Sequence, residues 1–302
     1  MLFAQGGVRR HARAAGEVIL AAGAVGSPHL MQLSGLGPAP LLQANGVSVL
    51  RDMPGVGSNL QDHLQIRTVF RVSGTRTLNT RAASLIGRAL IGAEYLLSRS
   101  GPLSMAPSQL GLFAYSSQRA ATPDLEYHVQ PLSLDAFGQP LHPFDAFTAS
   151  VCHLRPESRG EVALCGPDPG VAPAIRPNYL SAPADQQVAV EAVALTRRIA
   201  AAPALAPYRP VEHLPGAEVT GPEALLSAIG RIATTIFHPV GTCRMGTDVA
   251  AVVDPRLKVR GIEALRIADA SIMPTITSGN THAPTVMIAE KTAQMVIEDG
   301  RG

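Results

Sequence analysis

Apolar runs that close on small residues alternate along the chain with stretches broken by glycine and proline. Glu17–Gly23 reads Glu-Val-Ile-Leu-Ala-Ala-Gly, and Ser27-Pro28 then opens an apolar segment through Leu33 that Gly35 can stop. This order predicts a buried strand feeding a helix. Small residues at such a junction let the backbone approach a ligand, and a helix N-terminus favours negative charge. Ala22 and Gly23 are therefore candidate ligand contacts, with simple packing as the alternative. Asp52–His63 (DMPGVGSNLQDH) is too punctuated for regular structure and predicts an ordered loop whose Asn59 and Asp62 side chains bond local backbone.

From Gln65 the texture changes. Ile66–Val72 alternates as a strand does, Ala83–Ser98 has helical periodicity, and Gly101-Pro102 breaks it. Strand-like runs recur at Gln109–Tyr115, Leu125–Gln130, Phe147–Leu154 and Gly160–Leu164, each bounded by turn residues, which predicts a largely antiparallel sheet. Asp185–Ala201 is predicted to cover a sheet face as a helix, with Val188, Val190, Val193, Leu195 and Ile199 as its apolar side. A short helix over Glu223–Gly230, a strand over Leu265–Asp269 and a closing helix over Pro284–Glu298 follow. The closing helix offers Val286, Met287, Ala289, Ala293 and Val296 as a buried stripe, with Pro284 tolerated in its first turn.

Composition narrows the picture. The 302 residues are 46 % hydrophobic with 28 Gly and 25 Pro, enough for two lobes or one core with a large insertion. A net charge of +2 with the two signs intermixed gives no reason to expect nucleic acid or an acidic membrane as partner. Cys152, Cys165 and Cys243 lack CxxC spacing, so neither a disulfide framework nor a structural zinc site is suggested and a reducing compartment fits best. No apolar run approaches the ~20 residues of a spanning helix, and the start of the chain lacks signal-peptide order. The expectation is a soluble, cytoplasmic protein, with peripheral attachment to the inner membrane as a further option.

Two histidines carry the candidate chemistry: His238 in HPVGTCRMG (238–246) and His282 in SGNTHAPTVMIAEK (278–291). An imidazole with an ordinary pKa of ~6.5 suits proton removal near neutrality, and an alcohol becomes a good hydride donor only as its hydroxyl loses a proton to a nearby base. A histidine beside a proline is also compatible with a plain turn or a satisfied buried ring. Cys243 near His238 suggests a metal pair, but no further ligand cluster completes it, so no metal is assigned. Asp269 reads as a possible turn cap, Asp62 and His63 as supports, and Arg155 and Arg159 as braces of a turn. No GxSxG elbow points to serine hydrolysis.

GAVGSPHLMQLSGLGP (23–38), MPGVGSNLQDH (53–63), RPESRGEVAL (155–164), HPVGTCRMG and ADASIMPTITSGNTHAPTVMIAEK (268–291) together resemble the glucose-methanol-choline family of flavin oxidoreductases, nearest its bacterial choline and alcohol dehydrogenase-like branch. The resemblance implies an α+β chain drawn from an α/β parent. An incomplete doubly wound FAD-binding domain (1–64, resumed at 226–302) would flank a substrate domain (65–225) with a six-stranded antiparallel sheet. It implies FAD as cofactor, a small-molecule alcohol as substrate, and oxygen or a quinone as electron acceptor. By the same resemblance His238 is the active-site histidine and His282 the second of the pair. Asp269 and Ala270 are backbone contacts to the cofactor, and Ala283, Pro284 and Thr285 run past the flavin's pyrimidine edge, where the start of the closing helix would favour the reduced, negatively charged ring with Thr285 donating and Pro284 unable to.

The chain departs from the family at its start. No GxGxxG turn between a strand and a helix is present, the feature that brings backbone against a dinucleotide pyrophosphate. The chain therefore reads as a C-terminal fragment needing a complementary flavin-binding segment. Glu17–Gly37 and Leu265–Glu298 are then expected to expose apolar faces and unpaired strand edges. The rival is a non-catalytic domain that binds a small ligand or partner without turnover.

Overall fold

Short strands and helices alternate from the first residues of the computed structural model, which describes residues 1–300 apart from 107, 119 and 137. A hairpin of β1 (Leu2–Gln5) and β2 (Val8–His11) precedes β3 (Val18–Leu20), α1 (Gly23–Leu33), β4 (Leu36–Gly37), α2 (Ala39–Ala44) and β5 (Arg51–Asp52). Then come β6 (Leu64–Arg71), α3 (Leu78–Arg81), α4 (Leu85–Ser98), β7 (Leu110–Ala114), β8 (Leu125–Gln130) and β9 (Ala146–His153). After β10 (Glu161–Ala163) and β11 (Ala174–Arg176) follow α5 (Pro183–Ala200), β12 (Val211–Leu214), α6 (Pro222–Ile232), β13 (Ala233–Thr235), β14 (Leu265–Ile267) and α7 (His282–Asp299). These elements form two units, one of residues 1–62, 159–178 and 238–302, the other of 63–158 and 179–237.

The second unit is built on the expected six-stranded antiparallel sheet, in the order β12-β6-β9-β8-β7 with β13 also paired to β6. The two-residue period of a strand puts Ile66, Val151, Leu125 and Tyr127 on one face, where they pack with Ala189, Ala192 and Val193 of α5 and Leu225 and Ile229 of α6. The register places Gln65, Arg67, Ser150, Cys152, Glu126 and His128 on the opposite face, with His128 Nε2 3.5 Å from Glu126 Oε1.

The buried stripe of α5 differs from the one its periodicity suggests. Ala189, Ala192, Val193, Thr196 and Ala200 are buried, whereas Val188, Val190, Leu195 and Ile199 are half-buried on the flanks. Small side chains along the contact line let the helix lie close to β9, and the bulky residues seal its sides. Thr196 keeps its polarity satisfied there: its hydroxyl donates to the Ala192 carbonyl at 2.8 Å and lies 3.0 Å from Tyr127 Oη.

Asp185, at the start of α5, accepts from the backbone N–H groups of Glu157 and Ser158, each at 2.8 Å. Burial pushes its carboxyl upward, but hydrogen bonds from His153, the Ser158 hydroxyl and those two amides outweigh this and hold it well below the usual carboxylate range.

In the first unit β3 and β14 form a two-stranded parallel pair. A core of Met31, Val56, Val240, Cys243, Ile267 and Ile272 gathers the segments around it. Two expectations about α7 are corrected. It begins at His282 rather than Pro284, and it buries Ile288 and Thr292 rather than the predicted stripe. Val286 is 47 % and Met287 53 % exposed, and Ile19 on β3 is 44 % exposed. Among the described residues no other named strand pairs with β3 or β14, and residues 257–259 bond along β14 through an isolated bridge of Lys258 to Arg266. Among the described residues no helix is long and apolar enough to cross a membrane.

The α5 contact line predicts that Ala192→Leu, which overfills it, lowers stability by about 1–3 kcal/mol, while Ala194→Leu on the exposed side stays within about 0.5 kcal/mol, both read from urea midpoints. The Asp185 network predicts an acid-dependent loss. A carboxyl whose folded pKa is depressed contributes stability above its unfolded value of ~3.9, and that contribution is lost as pH falls through the folded value. Asp185→Asn should therefore lower the melting temperature at neutral pH and flatten its decline in acid.

Candidate active site

The loop over 53–62 positions the site residues of the first unit. Gly57 has φ +86°, and a Cβ there would lie 2.2 Å from the Val162 carbonyl oxygen and 2.4 Å from Gln32 Nε2. Gln32 is buried and donates to the carbonyls of Val56 (3.2 Å) and Val162 (2.9 Å). The loop's backbone pairs on two sides: Leu60 exchanges hydrogen bonds with Gly160, and Gln61 with Val240.

Its side chains reach farther than local turn bonding would require. Asn59 Nδ2 donates to the Gly241 and Pro274 carbonyls at 3.1 and 3.3 Å. Gln61 donates to Pro274 O at 3.1 Å and accepts from the Ile276 N–H at 3.1 Å. Asp62 accepts from the His238 backbone N–H at 2.9 Å. The expected local bonding of Asn59 and Asp62 is thus corrected: partners 176 to 215 residues away in sequence use them. Arg159 braces this loop too, donating to Asn59 Oδ1 at 3.2 Å. His63 lies in the second unit, buried, with Nε2 3.2 Å from the Leu154 carbonyl.

His238 is buried, and Asn280 Nδ2 lies 3.3 Å from its Nε2. With the Asn280 amide as donor, Nε2 accepts in the tautomer that carries its proton on Nδ1. Beyond His238 the motif is stitched to the segment after β14. Gly241, Cys243 and Met245 donate backbone N–H groups to Ala270, Ser271 and Ile272, and Thr242 donates its hydroxyl to Ala24 O at 2.6 Å. Cys243 is fully buried with its Sγ 3.9 Å from Met31 Sδ, and burial pushes its thiol far up, so it stays protonated.

Asp269 caps the turn over Ala270–Ile272, accepting from Ser271 N–H at 2.8 Å. Its other oxygen accepts from Gly23 N–H at 3.0 Å and the Ser27 hydroxyl at 2.5 Å, and Ser27 Oγ accepts from Ala22 N–H at 3.1 Å. The amides of Ala22 and Gly23 are therefore engaged within the chain. Ser271 is fully buried with its hydroxyl against the Cys243 thiol, and Thr277 Oγ1 is buried without a hydrogen-bond partner.

His282 and Ala283 stand exposed in the first turn of α7. Pro284 occupies the third helical position, where its missing N–H costs nothing. Thr285 sends both its N–H (3.1 Å) and its hydroxyl (2.7 Å) to the Thr281 carbonyl, so the expected donor of this helix start shifts from Thr285 to the amides of His282 and Ala283. Asn280 was missed by sequence reasoning; its signal was its place two residues before a flagged histidine.

Sequence profiles described as GMC oxidoreductase match residues 2–65 and 156–289. The chain belongs to the GMC oxidoreductase family. It is 42 % identical over 283 residues to an alcohol dehydrogenase [acceptor] of Pseudomonas putida, covering 93 % of this chain and 51 % of the relative. It is 38 % identical to an oxygen-dependent choline dehydrogenase of Photobacterium profundum over 93 % of this chain and 50 % of that one. A formate oxidase structure from Aspergillus oryzae, described by its FAD modification, superposes with a TM-score of 0.87 at 26 % identity, covering 95 % of this chain and 55 % of that one. The chain thus spans about half the length of the curated relatives it matches.

The two glycines separate crowding from backbone strain. Gly57→Ala meets both and should lower stability by about 2–4 kcal/mol, whereas Gly23→Ala, at φ +77° with open space around the added carbon, should cost only about 1–2 kcal/mol. Chemical denaturation of the two variants checks the difference.

Proposed function

We propose that this chain carries the catalytic histidines of an FAD-dependent oxidoreductase that takes a small alcohol to an aldehyde or ketone. The observation that carries this reading is the setting of His238: buried, fixed through its backbone by Asp62, and with Nε2 3.3 Å from the side chain of the exposed Asn280, placed to accept a proton. An alcohol hydroxyl that takes the place of the Asn280 amide puts its proton on Nε2, and His282 orients the hydroxyl through a second hydrogen bond. Asn280, released, can hold the same oxygen.

The residues fit one part of the cofactor. The first-turn amides of α7, from His282 and Ala283, offer donors and partial positive charge worth about 0.3–1 kcal/mol to the edge of a flavin where negative charge gathers. Ala270 and Pro284 supply further backbone along the same stretch of sequence. When bound, FAD supplies the hydride acceptor that no side chain can provide. The pyrophosphate cradle is not part of this donor set, because the chain has no glycine-rich turn between a strand and a helix; a complementary segment would bring it.

The electron acceptor is oxygen or a quinone, and use of a membrane quinone would go with peripheral attachment to the inner membrane. The second reading, a binding domain without turnover, is favoured by the same missing turn.

The two readings part in the visible absorption spectrum of the purified chain after incubation with FAD and desalting. Retained flavin bands that bleach with short- or medium-chain alcohols support the oxidoreductase, and His238→Ala should then slow bleaching about 100- to 10,000-fold while leaving the bands in place. A colourless protein, or bands indifferent to every alcohol, supports the rival for this polypeptide.

A further inference from the structure

The most exposed apolar side chains of the second unit lie together on one helix. At 100° per residue Leu85, Ile86, Leu90, Ala93, Leu96 and Leu97 of α4 fall within one arc of about 140°. All are exposed, Leu85 by 83 % and Leu97 by 88 %. On the other side Ile91 is buried and holds the helix down. The ends are well made: the Ser84 hydroxyl accepts from Gly87 N–H at 3.0 Å, and Arg99 closes the helix in the left-handed conformation at φ 52°. The helix is formed and finished, yet the face that would normally drive its packing points to solvent.

Charge identifies what covers it. Ser73–Ser104 contains Arg76, Arg81, Arg88 and Arg99 against a single acid, Glu94, so this segment carries +4 − 1 = +3 while the whole chain carries +2. Arg81 lies 3.6 Å from Glu94, Arg88 folds back on the Ala82 carbonyl at 2.8 Å, and Arg99 rests over the Tyr95 ring at 5.2 Å. The arginines thus stand at both ends and on the flank of an aliphatic face that has no aromatic residue in its arc. Protein interfaces concentrate aromatic anchors at their centre. An aliphatic face framed by cations is the pattern of a helix lying in the surface of an anionic bilayer.

We propose that α4 docks this protein on anionic lipid, with its Leu and Ile side chains in the acyl boundary and Arg81, Arg88 and Arg99 at the headgroups. The proposal deepens the membrane attachment raised above by naming its surface, and it stands apart from the flavin chemistry. Flotation of the purified chain with vesicles of phosphatidylcholine, with or without about 30 % phosphatidylglycerol, tests it without requiring activity. The expected result is binding to the anionic vesicles, weaker at high salt and weaker still to neutral ones. Leu90→Glu with Leu97→Glu should reduce binding at least about tenfold with an unchanged melt, since both residues are exposed. Arg81→Gln with Arg88→Gln and Arg99→Gln should remove the preference for anionic lipid. Absence of flotation, or a Leu90→Glu, Leu97→Glu variant that floats like the parent, overturns the proposal. So does light scattering in which that variant splits an oligomer, which would make a second copy the occupant.

Discussion

A loop that runs through the interior of a unit must satisfy its own polar groups, and the loop from Asn59 to Asp62 does so by bonding to the His238 motif and to the segment that leads toward α7. Its backbone takes up Gly160 and Val240; its Asn, Gln and Asp side chains take up Gly241, Pro274, Ile276 and His238. Losing the partner of a buried group such as the His238 N–H strands that group at a cost of about 1–3 kcal/mol, roughly twice the net contribution of a typical hydrogen bond. The position of His238 is therefore set less by its own side chain than by a carboxylate and a carbonyl lattice far earlier in the sequence. Gly57 belongs to the same arrangement, since Gln32 and the Val162 carbonyl occupy the space a side chain would need.

Much of this fold was legible because alternation and helical period are local properties. β8 and the strand face of Ile66, Tyr127 and Val151 follow from two-residue spacing, and α6 and α5 from apolar periodicity. Periodicity identifies an apolar side but says nothing about how close a neighbour comes. On α5 the closest approach falls on alanines, Val193 and a threonine, and on α7 Val286, Met287, Ala289 and Ala293 of the expected stripe are exposed while Ile288 and Thr292 are buried. The pairing of β10 with β11 and their membership of the first unit rest on contacts with residues 57–60, which no local pattern encodes.

The site was legible in a different way. His238, Asp269 and the start of α7 stand in motifs that name them, but the motif does not say what each atom touches. Asp62 had the look of a local turn residue and instead holds the His238 backbone. Asn280, with nothing to mark it beyond its neighbours, supplies the group that faces Nε2. Side-chain amides and carboxylates bond across sequence distances of 42 to 246 residues here, and such pairings are fixed only when the chain has folded.

The starts of α1 and α7 divide their electrostatic roles. At α1 the Asp269 carboxylate already fills the N-terminus, bonded to Gly23 N–H and to Ser27, so its negative charge answers the helix dipole from inside the protein. A second anion brought there would meet like charge. At α7 no acidic residue occupies the first turn, and a proline in the third position leaves the amides of His282 and Ala283 as its outward donors. The same physical device is thus spent on structure at one end and left available at the other. In the reading proposed above, the electron-rich edge of a flavin is drawn to the second, and the pyrophosphate finds its donors on a segment other than α1, where Asp269 already holds the Gly23 amide.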